Sequence, residues 1–420
     1  MRVAIITLPL HTNYGGILQA YSLKTVLESQ GHCVSVIDLK DKMPAPKGFK
    51  APFVYVGRIL KKFLKGNSGP EVFREKRYAR ELPILSSNTD VFVQKHISPR
   101  MVKSYADIKS DEYDAFVVGS DQVWRPRYFH PLEDAFLAFT KGWDVRRVAY
   151  AASFGTDQLE YEYVHLATCS ELLEKFDGVS VREDSAVRQC EEWFDCDRAV
   201  HVLDPVMLLD PGVYKALADK ALCHPAKGRL VTYILDKASE KECVVEFMKH
   251  VSGLDVCDVS VYPYTDERPV TERIVPPLEE WLAAFADAEF VVTDSFHGCV
   301  LSIMMHKRFI AVGNSRRGMS RLKSLLDMLE LDMRLVLLKN MIGLSPKEFI
   351  RRVYLNVLAV AAVAVAVPFV FKGFLPEGFW GFCAGVALCV LSASFSILFV
   401  GCTVKERGEI AAVVLRRIRR

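Results

Sequence analysis

The stretch Phe290-Val-Val-Thr-Asp-Ser-Phe-His297-Gly298-Cys-Val-Leu301 constrains the fold more than any other. A short apolar run reads as a buried parallel strand, a polar turn breaks it, and helical spacing begins at Cys299. Thr293 to Gly298 therefore belongs to a strand-to-helix turn, and in open α/β sheets ligands bind beside such turns, beyond the carboxyl ends of the strands. Gly298 lets the backbone approach a ligand, and the helix behind it offers unpaired N–H groups and a positive dipole end. Asp294 and His297 add proton-transfer chemistry at the same place. The plainer alternative is that Asp294 caps the helix and His297 is a satisfied turn residue.

The pattern recurs along the chain. Val3 to Thr7 predicts a strand, Pro9 to Gly16 a polar turn, Leu18 to Leu27 a helix stopped by Gly31, and Val34 to Asp38 the next strand. Asn13, Tyr14, Gly15 and Gly16 form the first turn of this βαβ unit, although the G-x-G-x-x-G spacing of a dinucleotide fingerprint is missing. Lys40 to Val72 shows no clear period and is expected to be an excursion or lid. Within it, Arg58 to Lys65 is a basic amphipathic turn or two, suited either to an anionic lipid or glycan carrier or simply to solvent.

Asp114 to Val118 predicts a strand ending at Gly119-Ser120-Asp121-Gln122-Val123-Trp124. There Ser120, Asp121 and Gln122 can bond sugar hydroxyls, and Trp124 can offer a stacking platform, unless the turn is merely capped and the Trp lies in the core. Further strands are expected at Arg147 to Ser153 and at Gly178 to Val181. Arg182 follows the latter as a candidate bidentate clamp for carboxylate or phosphate, with an ion pair to Glu183 or Asp184 as the alternative. Val200 to Asp204 closes this half with another strand-end Asp. A second α/β set follows, with strands at Leu230 to Ile234, Val256 to Val261, Phe290 to Thr293 and Arg308 to Val312. After the last comes a glycine-bearing turn with Arg316, Arg317 and Arg321, readable as an anion site or a solvated basic loop.

These elements predict an N-terminal Rossmann-like domain over 1–212, a linker over 213–227 and a second Rossmann-like domain over 228–340, with polar turns of both facing a cleft. A transferase uses such an arrangement to hold donor and acceptor on opposite walls. The net charge of +3 gives no reason to expect nucleic acid. The cysteines form no C-x-x-C pair and no cluster at metal spacing, so no metal is expected, and the directly starting strand suggests no secretory signal. Val353 to Phe371 and Phe379 to Val400 contain no charged residue and are each long enough to cross a hydrocarbon core of about 30 Å. A transmembrane hairpin over 353–400 is expected. Basic flanks, including the tail 401–420, put both ends and the α/β region on the cytoplasmic side of the cell membrane.

Read together, Asn13 to Tyr21, Gly119 to Trp124, Ala151 to Gly155, Ser180 to Glu183, Asp204-Pro205 and Thr293 to Gly298 resemble the polysaccharide pyruvyl transferase family. The resemblance implies a fold similar to GT-B glycosyltransferases. It also implies phosphoenolpyruvate as co-substrate, no further cofactor, and a glycan or lipid-linked oligosaccharide acceptor. Some members carry Arg-x-His-Gly, whose arginine helps hold the donor; here that place is Ser295. The charge is then expected from Arg182 and from Arg316, Arg317 or Arg321. His297 is expected to be the acid, Asp121 or Asp294 the base or orienter, and Asn13, Gly15 and Gly16 the acceptor wall. The tail from Val353 resembles the last two helices of a polysaccharide flippase, consistent with a fusion that places the enzyme beside assembly machinery or with a recombined remnant. Two rivals remain: a GT-B glycosyltransferase using a nucleotide sugar, and an inactive membrane-anchored assembly subunit.

Overall fold

The computed structural model describes residues 1–39, 46, 48–65, 71–263, 265–313 and 320–331, with isolated positions 385–386, 388–389, 392–393 and 396. Met1–Met333 form one compact unit and Arg334–Arg420 a second. The expected hairpin and basic tail, like Arg316 and Arg317, lie almost wholly outside the described residues. Among those residues no helix is long and apolar enough to cross a membrane.

Two parallel sheets carry the first unit. The strands are β1 (Arg2–Ile6), β2 (Cys33–Leu39), β3 (Arg100–Val102), β4 (Ala115–Val118), β5 (Arg146–Ala152), β6 (Gly178–Val181), β7 (Val200–His201), β8 (Leu230–Tyr233), β9 (Val256–Asp258), β10 (Phe290–Thr293) and β11 (Arg308–Ala311). The larger sheet runs β3-β2-β1-β4-β5-β6-β7, the smaller β11-β10-β8-β9, with every pairing parallel. The buried apolar runs fall where the sequence pattern puts them, because strands covered by helices on both faces have no solvent side to mark with polar residues. In both sheets the order reverses beside a central strand: β1 pairs with β2 and β4, and β8 with β9 and β10. Loops diverge at such points and leave a crevice.

One apolar core runs through both sheets. It joins Tyr14, Ile17 and Leu18 of the helix Tyr14–Ser29 to Trp281, Leu282 and Phe285 of the helix Leu278–Asp287 and to Phe296 and Val300 of the helix Phe296–Met304. Tyr14 is the main rivet. Its ring stacks on Trp281 with centroids 4.7 Å apart, and its hydroxyl donates to the Pro276 carbonyl (2.8 Å). Tyr14 is thus structural cement and presents no face to an acceptor.

The excursion after β2 is more ordered than its sequence suggests, with helices at Ala51–Lys65 and Arg74–Leu85. Glu81 of the latter pairs with Arg273 (2.7 Å) and so links the excursion to the half of the unit built on the smaller sheet. Pro83 lies inside that helix, a residue that ordinarily marks a helix end in a sequence.

Candidate functional site

The turns after β1, β4, β6, β7 and β10 converge on His297. The helix Phe296–Met304 begins directly after Ser295, whose hydroxyl accepts from the Gly298 N–H (3.4 Å). Ser295, not Asp294, is therefore the cap, and His297 is fixed in the first helical turn. Gly298 is obligatory for packing, since a Cβ there would lie 2.3 Å from the Thr293 hydroxyl oxygen. That hydroxyl in turn donates to the Tyr233 carbonyl (2.7 Å), locking the turn to β8.

Asp294 faces the β8 loop. Its carboxylate accepts from the Leu235 N–H (2.6 Å), the Asp236 N–H (3.2 Å) and Lys241 Nζ (2.6 Å). These contacts tie the loop after β8 to the loop after β10, and a different carboxylate lies beside the imidazole.

That carboxylate is Asp204. His297 Nε2 lies 3.7 Å from Asp204 Oδ2, too far for a hydrogen bond but close enough for an ion pair when the ring is protonated. Asp204 Oδ2 also accepts from Arg182 Nη1 (2.9 Å) and from the Ser120 hydroxyl (2.8 Å), while Oδ1 accepts from the Val206 N–H (3.0 Å). Burial alone would raise the pKa of this carboxyl, but His297 and Arg182 beside it outweigh burial and hold it well below the usual carboxylate range. In the sequence it was one strand-end Asp among several. Only the tertiary fold shows which of them meets the histidine.

Arg182 is wholly buried, with Nη2 3.7 Å from Asp121 and its guanidinium 4.4 Å from the Phe296 ring centroid. Burial works against its charge, and Asp204, Asp121 and Glu183 overcome that effect and raise its pKa. The expected open clamp is therefore a guanidinium already flanked by carboxylates. Its Nε and Nη2 nevertheless have no hydrogen-bond partner among the described residues, and neither does His297 Nε2. Glu183, the alternative partner, instead accepts from the Ser153 hydroxyl and from the Gly155 N–H (3.1 Å).

The opposite side of the histidine is the first turn of Tyr14–Ser29. A Cβ on Gly15 would fall 2.1 Å from His297 Nδ1, so only glycine leaves room for the ring. A Cβ on Gly16 would lie 3.0 Å from Asn13 Nδ2 and 3.3 Å from Asp121 Oδ2, a tight fit. Asn13 does not cap its helix; its Nδ2 donates to Asp121 Oδ2 (3.1 Å). Asp121 has a left-handed φ of 76° and bridges to Ala152, a conformation that costs a non-glycine residue about 1 kcal/mol or more.

Asn13, Gly15, Gly16, Ser120, Asp121, Arg182, Asp204 and His297 thus share one neighbourhood. Gln122 turns away, its side-chain oxygen accepting from Arg125 Nη1 (3.0 Å). Trp124 corrects the expectation of a stacking platform: it is 0% exposed, its Nε1 donates to the Ala135 carbonyl (3.1 Å), and its ring stacks on Phe136. Every edge of its indole is taken up by core contacts. Arg321 is buried in the first turn of the helix Ser320–Met328.

A sequence model described as polysaccharide pyruvyl transferase matches residues 13–316, a span that contains every member of this neighbourhood. No curated protein matches the chain. Similar solved structures include a glycosyltransferase from Rickettsia africae (11% identity, 80% of this chain and 89% of that one, TM-score 0.36). Another is the UDP-GlcNAc 2-epimerase of Neisseria meningitidis (10% identity, 79% and 94%, TM-score 0.38). A third is the E. coli heptosyltransferase WaaC (14% identity, 79% and 99%, TM-score 0.32). Scores this low carry no argument, and the architecture rests on the strand orders themselves.

Proposed function

Given that the chain belongs to the polysaccharide pyruvyl transferase family, we propose that it moves a pyruvyl group from phosphoenolpyruvate onto two hydroxyls of a cell-surface glycan or lipid-linked sugar, forming a cyclic ketal. The observation that carries this reading is the convergence of His297, Asp121 and Asp204 beside the first turns of the helices Tyr14–Ser29 and Phe296–Met304.

The chemistry needs a proton for the donor's methylene carbon, relief of the positive centre this creates at its neighbour, and removal of a proton from the attacking hydroxyl. In our reading the imidazolium of His297 delivers the proton to the methylene carbon, which becomes the methyl group. A sugar hydroxyl then bonds to the adjacent carbon, and its proton passes to Asp121. A second hydroxyl attacks that carbon and gives its proton to the now neutral imidazole of His297, the carbon–oxygen bond to phosphate breaks, and inorganic phosphate leaves with its electron pair and the proton held by Asp121. Asp204, kept ionised beside Arg182, stabilises the protonated ring and fixes its orientation.

The donor's negative groups call for compensation from the two helix amino ends and from Arg182, whose Nε and Nη2 make no hydrogen bond among the described residues. Ser295, in the place where some relatives carry an arginine, contributes a cap and no charge. Asn13, Gly15 and Gly16 shape the acceptor wall.

The test is incubation of the full chain with phosphoenolpyruvate and membrane glycolipids, following phosphate release and the gain of a pyruvyl group by mass spectrometry. His297→Ala should lower turnover by about 10² to 10⁴ with the fold intact. Near-normal turnover would remove His297 from the mechanism, and release of a nucleoside diphosphate from a nucleotide sugar, with no use of phosphoenolpyruvate, would replace this reading with glycosyl transfer.

A further inference from the structure

The helix Ala51–Lys65 turns its apolar side away from the protein. Phe53, Val56, Leu60 and Phe63 follow one another at spacings of three and four, which places them on one stripe. All are exposed, Phe53 at 67% and Phe63 at 87%, and Leu64 beside them at 80%. Phe49, at 88%, extends the stripe by a turn. Exposed apolar residues are ordinary when scattered, but a continuous row along one helix marks an interaction surface.

The helix is held by its other side. Arg58 Nη1 donates to Glu75 Oε2 (3.0 Å) and to the Val72 carbonyl (3.0 Å), its Nη2 forms an ion pair with Glu75 Oε1 (2.8 Å), and the Tyr55 ring lies against Phe73 with centroids 5.4 Å apart. A water-facing helix would bury the phenylalanines and expose the arginine. Here the arrangement is reversed.

Charge identifies the occupant. Between Asp41 and Glu71 the chain has no acidic residue, while Lys47, Lys50, Arg58, Lys61, Lys62 and Lys65 are all basic. Of these, Lys61 and Lys62 are exposed on the helix that bears the stripe. A protein partner for such a stripe would offer an apolar groove, and an aqueous polyanion would need no phenylalanines. An apolar interior beneath a negatively charged surface satisfies both features, and only a lipid bilayer presents the two together.

We infer that the helix Ala51–Lys65 is an interfacial docking element that lies in the headgroup region of an anionic membrane, with Phe53, Leu60 and Phe63 immersed and Lys61 and Lys62 at the phosphates. The excursion carrying it leaves the carboxyl end of β2, on the same edge of the larger sheet as the turn containing Asp121. Docking would hold the candidate site over the lipid surface, where a lipid-linked acceptor presents its sugar. The inference does not depend on the apolar tail or on the chemistry assigned to His297.

The measurement is hydrogen–deuterium exchange of the full-length protein, read in peptides covering 51–65, with no vesicles, with phosphatidylcholine vesicles, and with vesicles containing phosphatidylglycerol. Anionic vesicles should slow exchange in this segment roughly tenfold relative to phosphatidylcholine. The effect should disappear in Lys61→Glu/Lys62→Glu and in about 0.5 M salt, and should weaken in Phe53→Ser/Phe63→Ser. All four side chains are exposed, so the variants leave the core untouched. Any insertion of the tail is common to both vesicle types and is not read in these peptides. Equal exchange in all three conditions would overturn the inference. So would slowing that needs no lipid and grows with protein concentration, which would assign the stripe to a second copy of the chain.

Discussion

The turns after β4 and β10, Gly119-Ser-Asp-Gln-Val-Trp and Thr293-Asp-Ser-Phe-His-Gly, both follow a buried parallel strand and both contain a serine and an aspartate, yet they work in opposite ways. The β10 turn is relaxed: Ser295 caps a regular helix, Asp294 is spent on the neighbouring loop, and the histidine follows from helix geometry. The β4 turn is strained. Asp121 is held in a left-handed conformation by its bridge to Ala152, with Asn13 on its carboxylate and Trp124 packed deep in the core behind it. One turn positions its side chain through secondary structure and the other through tertiary restraint. The difference teaches that His297 is placed by a local helix start, whereas Asp121 depends on contacts from distant parts of the chain.

The sharpest way to break this pairing is at the point where the two sides meet. Gly15→Ala would put a methyl group 2.1 Å from His297 Nδ1, so the ring must leave its place. Turnover should fall about as far as in the histidine deletion, roughly 10² or more, measured as phosphate release from phosphoenolpyruvate. Wild-type turnover in this variant would mean that the ring has somewhere else to work from.

Asp204→Asn comes next. It leaves Arg182 buried without its nearest counter-charge, and the expected loss is about 3 kcal/mol in denaturant unfolding. The acid limb sharpens the test. Because the folded-state pKa of Asp204 is depressed, its contribution is fully present above the ordinary carboxylate range and is lost only as pH falls below that range. The asparagine variant should therefore lose its stability difference from wild type in strong acid and keep it at neutral pH. A constant difference across that range would show that Asp204 is not held ionised by its neighbours.

Ser295→Ala is the smallest change. Loss of a long cap bond should cost about 0.5 to 1 kcal/mol in thermal unfolding, with turnover within a fewfold of normal. A large loss of turnover with unchanged stability would instead make Ser295 a contact to substrate.

The sequence made most of the parallel strands legible because they are short apolar runs between turn residues, and β6, β10 and the helix Leu278–Asp287 fall where that pattern places them; the three-residue edge strand β3 is too short to show such a run. It also pointed to His297, Asp121 and the Gly15-Gly16 turn. It misjudged Trp124, since an aromatic next to polar turn residues looks the same whether it faces a sugar or the core. It passed over Asp204, whose role depends on a histidine far along the chain. In the excursion after β2 only the end of the first helix was legible, as the basic amphipathic stretch Arg58 to Lys65, because Pro52 and Gly57 interrupt the helical signal before it.

The stack of Tyr14 on Trp281 has a consequence for His297 that no hydrogen bond shows. Tyr14 precedes Gly15, whose missing side chain leaves room for the imidazole, so the stack anchors the backbone that flanks the ring. Loosening it with Trp281→Leu should disturb that backbone without touching any group assigned to move a proton.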